Sequence, residues 1–182
     1  YVGKVNMDRN NLPGVLEETT QESMSQTLRW LEGCHFENVK PIITPRFTPS
    51  CTDELMEGLG SLQREFGTAM QSHLSENLSE IQWVSQLCPN TRFYGEAYAQ
   101  AGLFGRDCPT VMAHCVWSGA EERALMKENG VFIAHCPQSN MNVSSGIAPI
   151  KSYLAEGQKV GLGSDVAGGA HLSLFRAMTD AI

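Results

Sequence analysis

The sequence predicts an α/β chain whose strands form part of a closed (β/α)8, TIM-like barrel. Three observations carry that expectation. Short apolar segments of strand character alternate with helix-like segments six times along the 182 residues. Strands joined through helices form a mostly parallel sheet. Three of the strand segments run out into His73, His114 and Asp165, residue types that bind metals and move protons. An open doubly wound sheet fits the alternation equally well. Strand ends spread over so much sequence meet most easily around a ring, where catalytic groups gather at the C-terminal mouth.

The strand segments are 2–7, 41–45, 68–72, 110–114, 131–135 and 159–163, each bounded by polar residues, Gly or Pro, as buried parallel strands are. Thr19-Thr-Gln-Glu22 is a capping box that opens a helix to about Trp30 or Leu31. Leu55, Leu59, Leu62 and Phe66 recur at helical spacing and predict a helix over 52–65 that buries this stripe. Asn77 or Ser79 caps a helix through Leu87, which Pro89 ends. Ser118-Gly-Ala-Glu121 reads as a second capping box, and Gly130 stops its helix. A short helix over 147–154 is closed by Gly157, and 172–182 is a last apolar helical segment. There is no repeat, low-complexity tract or linker. The chain starts on an apolar run without Met and ends within a helix-like one, so residues 1–182 are expected to be a partial barrel domain.

The formal charge of -7 argues against nucleic acid and anionic membranes as partners, which ask for a basic face. It suits a small neutral substrate. No apolar run approaches transmembrane length. The six cysteines show no CxxC pair or framework spacing and read as reduced thiols of a cytoplasmic protein. Asn77-Leu-Ser79 and Asn142-Val-Ser144 match a glycosylation sequon, but no secretory signal gives them a context.

His73 and Asp165 are the candidate metal ligands, for zinc or alternatively iron or manganese. Glu76, three residues after His73, is the candidate proton carrier beside the metal. His114 either binds metal or hydrogen-bonds the attacking water and the substrate. His135 ends its strand segment with packing and catalysis both open. His35 and His171 have no supporting pattern. Arg46 closes the second strand and either points into the mouth to donate to a carbonyl or forms an ion pair on the rim. Phe47 is placed to stack on a planar ring. Other motifs fail. Gly161-Leu-Gly-Ser-Asp-Val166 has Val where GxGxxG needs its third Gly, and neither HExxH nor HxE…PCxxC occurs.

Six strings resemble the guanine deaminase family of the amidohydrolase superfamily, in the same order along the chain. They are Gly3-Lys-Val-Asn-Met-Asp8, Thr44-Pro-Arg-Phe47, Gln71-Ser-His-Leu-Ser-Glu-Asn77, Met112-Ala-His114, Ala134-His-Cys-Pro-Gln-Ser-Asn140 and Gly161-Leu-Gly-Ser-Asp-Val-Ala-Gly-Gly169. The resemblance implies an amidohydrolase barrel that hydrolyses guanine to xanthine and ammonia with a zinc-activated water, in purine catabolism, as a homodimer. It implies that His73 and Asp165 bind the zinc. Glu76 passes the proton to guanine N3, Asp165 helps to activate the water, and His114 assists at the oxyanion. Arg46 donates to the C6 carbonyl, and Phe47 lines the pocket. The substrate is then contacted by Arg46, Phe47, His73, Glu76 and His114. Alternatives are another ring-acting amidohydrolase (triazine, adenosine-type or cytosine) and a catalytically silent barrel scaffold. The His-x-His pair that ends the family's first strand is missing here. The six strands therefore match strands three to eight, without the first two strands, the flanking β-sandwich and the C-terminal segment. Two protein ligands fall short of the three usual for catalytic zinc, so the isolated 182 residues are expected to bind zinc poorly and to turn over weakly.

Overall fold

A computed structural model describes residues 1–16 and 18–182. Its strands are β1 (Val5–Asn6), β2 (Ile42–Pro45), β3 (Ala69–Leu74), β4 (Thr110–His114), β5 (Phe132–His135) and β6 (Lys159–Leu162). Its helices are α1 (Thr20–Gly33), α2 (Asp53–Phe66), α3 (Leu78–Leu87), α4 (Tyr94–Gln100), α5 (Ala120–Glu128), α6 (Pro137–Asn142), α7 (Ile150–Ala155) and α8 (Leu174–Asp180). All six strands pair in parallel, and their order in space is their order in the chain. A doubly wound sheet reverses its strand order at a switch point, whereas a barrel winds on in one sense. The sheet is thus a barrel arc, six strands of the eight that close a full ring.

Every expected strand is present. The first contracts from 2–7 to two residues, preceded by an isolated Val2–Pro41 bridge, because it pairs on one side only. The third runs on to Leu74, so His73 lies inside β3 and not after it.

The caps explain most helix starts. Thr19 and Glu22 exchange the reciprocal bonds of a capping box at α1. Thr52 Oγ1 accepts from Leu55 N at 3.2 Å to open α2, and Asn77 Oδ1 accepts from Glu80 N at 2.9 Å to open α3. Leu55, Leu59 and Leu62 are buried as their spacing requires. Phe66 is not: it ends the helix, 37% exposed, just before Gly67 turns left-handed. The second expected capping box does not form. Gly119 precedes α5 without a side-chain cap, and Ser118 is buried close to Glu122 instead. The helix expected over 147–154 starts at Ile150, because a residue before proline is pushed out of helical geometry and Pro149 stands at the cap. The last one shrinks from 172–182 to α8. α4 and α6 went unpredicted. Each is shorter than two turns and offers no periodicity.

Strand alternation sorts the side chains. Ile43, Met70, Leu74, Met112 and Ile133 face the helices and pack with Leu55, Leu59, Val84, Tyr98, Met126 and Tyr153. The other face presents Thr44, Gln71, His73, Val111, Ala113 and Ala134 to a cavity inside the arc. At the loop after β1, Asp8 accepts from Thr52 N (2.7 Å), Thr52 Oγ1 (2.6 Å) and Thr20 Oγ1 (2.7 Å), tying together the starts of α1 and α2.

Thr52 is therefore both a cap and a tie. Thr52→Ala is expected to cost about 1–2 kcal/mol, read as a lower urea midpoint at unchanged slope, while Thr52→Ser keeps most of it. An alanine variant as stable as the parent would remove Thr52 from this role.

Candidate functional site at the strand ends

β3 and β4 end side by side, with Leu74 paired to His114. Alternation alone would send His114 toward the helices with Met112. The backbone prevents this: His114 (φ 72°) and Cys115 (φ 50°) are both left-handed, a strained state for non-glycine residues that clusters at functional sites. The imidazole instead stacks on that of His73, ring centroids 5.3 Å apart and 15° from parallel. Ser75 (φ 46°) makes the same kind of turn after β3, and Glu76 follows it with Oε2 3.7 Å from His114 Nε2.

His73 Nδ1 lies 2.5 Å from the Arg46 carbonyl, which only accepts, so Nδ1 carries the proton and Nε2 the lone pair. Burial, and secondarily the His114 imidazole, lowers the His73 pKa and favours the neutral form. The Arg46 carbonyl, Glu76 and Asp165 pull it the other way.

Arg46, Phe47, His73, Glu76, Glu80 and Trp83 line a pocket of about 490 Å³. The Arg46 guanidinium lies over the Phe47 ring, 5.6 Å from its centroid, and Phe47 meets Trp83 edge to face at 6.1 Å. Arg46 makes no ion pair among the described residues, and the rim ion pair considered for it does not form. Trp83 was missed from sequence. The available signal was its position one turn after Ser79 and Glu80 on the same helix face.

Asp165 also has a left-handed backbone (φ 43°), and its carboxylate accepts from Ser139 Oγ. Gly168 packs so close that an added Cβ would sit 2.5 Å from Ser139 Oγ and 2.7 Å from Asp165 Oδ2. Other supports come from residues for which sequence assigned no role. Asn140 Oδ1 accepts from His114 Nδ1 at 2.8 Å, and Ser145 Oγ donates to Glu76 Oε1 at 2.9 Å. Tyr98 is fully buried; its hydroxyl lies 2.8 Å from Ser72 Oγ and donates to the His73 carbonyl at 2.9 Å. Glu122 accepts from Ser75 Oγ and from Gly95 N, both at 2.7 Å.

His73, His114 and Glu76 thus come together. Asp165 lies within electrostatic reach of His73 but is anchored on Ser139. No three His, Cys, Asp or Glu side chains among the described residues form a metal-ligand group. His135 is buried, its Nδ1 without a partner, and it lines a separate cavity behind α6. His35 and His171 are exposed. All six cysteines are free thiols, with Cys34 and Cys88 half-buried and the rest buried. No helix of the described residues is long and apolar enough to cross a membrane.

Residues 1–182 match the model of the amidohydrolase family along their whole length. Guanine deaminase of Dictyostelium discoideum is 43% identical over 185 aligned positions, covering 100% of this chain and 40% of that protein. The crystal structure of guanine deaminase from C. acetobutylicum with guanine bound in its active site superposes with a TM-score of 0.97 at 49% identity, covering 100% of this chain and 43% of that one. E. coli guanine deaminase superposes with a TM-score of 0.90 at 36% identity, covering 98% and 41%. The chain spans about 40% of the length of the curated relatives it matches.

Glu80 supplies a test of the pocket's electrostatics. It is 7% exposed, and burial pushes its pKa up to about 7, with Glu76 adding to the rise. The folded state therefore holds this proton to higher pH than the unfolded state. The associated stability is complete below about pH 4.5 and is lost as pH rises through 7. Glu80→Gln removes the titration. It is expected to stabilise the protein at pH 8, by an amount on the order of 3 kcal/mol, and to leave it unchanged at pH 4.5. Melting curves at the two pH values check this, and a gain of equal size at both would contradict it.

Proposed function

We infer function from membership and geometry together: the chain belongs to the amidohydrolase family. We propose that residues 1–182 are the strand-three-to-eight part of a guanine deaminase barrel whose complete protein hydrolyses guanine to xanthine and ammonia. One observation carries the reading. Arg46, Phe47, His73 and Glu76 line one pocket, which suits a carbonyl donor, a ring-stacking face and a proton carrier acting on one planar substrate.

Zinc fits the donor chemistry. His73 gives Nδ1–H to a carbonyl and keeps Nε2 basic, the outer-shell arrangement of a metal-binding imidazole. Asp165 adds a carboxylate, and the further ligands that a catalytic site needs would come from the rest of the barrel. When bound, the metal supplies the Lewis acidity that makes water nucleophilic near neutral pH.

The chain's own residues do the rest. Arg46 donates to the C6 carbonyl, and Phe47 and Trp83 pack against the ring. Glu76 takes a proton from the attacking water and gives it to N3, while His114 Nε2 and Asp165 orient that water at C2. The C2–O bond forms, the second proton passes from that hydroxyl through Glu76 to the amino nitrogen, the C2–N bond breaks, and ammonia leaves while the first proton stays on N3 of xanthine. Adenine is excluded, because it would leave the Arg46 donors unpaired. Reduced cysteines, the acidic charge and the neutral substrate support a cytoplasmic enzyme of purine catabolism that uses neither nucleic acid nor membrane. A homodimer is proposed on family resemblance.

The test is guanine consumption with ammonia detection in the complete protein. Glu76→Gln is expected to lower kcat by about 10²–10⁴. An undiminished variant removes Glu76 from the mechanism, and a wild type inert toward guanine overturns the reading. Arg46→Ala is expected to raise KM for guanine at least about tenfold while sparing a ring that lacks the carbonyl. Equal losses on both rings would deny Arg46 its specificity role.

A further inference from the structure

Residues 139–145 reach three of the site's chemical groups from one short stretch. Ser139 Oγ bonds the Asp165 carboxylate, Asn140 Oδ1 takes the Nδ1 proton of His114, and Ser145 Oγ holds Glu76 Oε1. All three are at least nine-tenths buried, and none lines the 490 Å³ pocket. The stretch is itself fixed. Ser145 N bonds the Asn140 carbonyl at 2.8 Å, Trp117 Nε1 bonds the Ser145 carbonyl at 2.7 Å, and Asn142 Nδ2 bonds the Gly168 carbonyl at 2.9 Å.

The consequences are specific. With Oε1 held by Ser145, Glu76 turns Oε2 toward His114. With Nδ1–H given to Asn140, the neutral His114 imidazole keeps its lone pair at Nε2. A serine and an asparagine thereby decide which oxygen and which nitrogen face the reacting water.

We propose that Ser145 and Asn140 are positioning residues for proton transfer, acting through Glu76 and His114 and without touching substrate. The proposal rests on the functional reading above and deepens it. Ser139 does the same for Asp165.

The experiment measures kcat and KM for guanine in the complete protein. Ser145→Ala is expected to lower kcat about tenfold, the worth of one buried hydrogen bond, at unchanged KM, and Ser145→Thr to restore it. In a Glu76→Gln background the alanine substitution is expected to cost nothing further, because the group it positions is gone. Ser145→Cys, which keeps the volume and weakens the donor, gives the same comparison should the alanine variant not fold. Asn140→Leu in a His114→Gln background follows the same logic. A Ser145 loss that persists in full without Glu76, or that falls on KM, overturns the positioning role and leaves the functional reading standing. A wild type that does not consume guanine overturns both.

Discussion

The site depends on a backbone constraint: the chain leaves three strands through left-handed residues that are not glycine. Ser75, His114 with Cys115, and Asp165 all have positive φ. Alternation in a strand gives each side chain one of two faces, and His114 falls on the wrong one. A single left-handed residue changes its aim without changing the register of β4 against β3. Such conformations cost about 1–3 kcal/mol each and persist only where the surroundings over-determine them.

The surroundings here are buried polar contacts with few alternatives. Ser75 is held from below by Glu122, whose carboxylate also takes Gly95 N. Burial raises the Glu122 pKa, and the bonds from Ser75 and Gly95 oppose the rise. Removing any of these donors would leave a desolvated oxygen, which costs more than the bond itself is worth. Tyr98 and Ser72 act likewise, linking the carbonyls of Pro45, Arg46 and His73 across β2 and β3. The arrangement at the mouth is thus transmitted from α4 and α5, on the helix side of the sheet.

This explains what the sequence disclosed. The nearness of His73 and Glu76 was legible because they flank the end of one strand, and the strands themselves because apolar runs between breakers leave little choice. Trp83, Tyr98, Asn140 and Ser145 were not. A serine or asparagine in a short helix or the loop after it has many local partners, and only tertiary packing selects the distant one. Ser118-Gly-Ala-Glu121 shows the converse. It satisfies the capping pattern, but the helix starts after Gly119, leaving Ser118 at the wrong phase and inside the core.

The facing pair at the mouth shows why this support matters for chemistry. His114 Nε2 and Glu76 Oε2 are 3.7 Å apart, too far for a direct hydrogen bond. With Nδ1–H committed to Asn140, Nε2 of the neutral imidazole is an acceptor, and a carboxylate at Glu76 is one as well. Two acceptors at that separation do not attract each other, but both are satisfied by a molecule with two O–H donors placed between them. Water is such a molecule. If Asn140 were replaced by a group that donates to Nδ1, the tautomer would switch and Nε2–H would face Glu76 as a donor, drawing the pair together. On the proposed mechanism, the carboxylate would then be engaged by a neighbour at the moment it is to take a proton from water. On that reading, the identity of one buried amide oxygen decides whether the pair competes for a proton or cooperates in moving it.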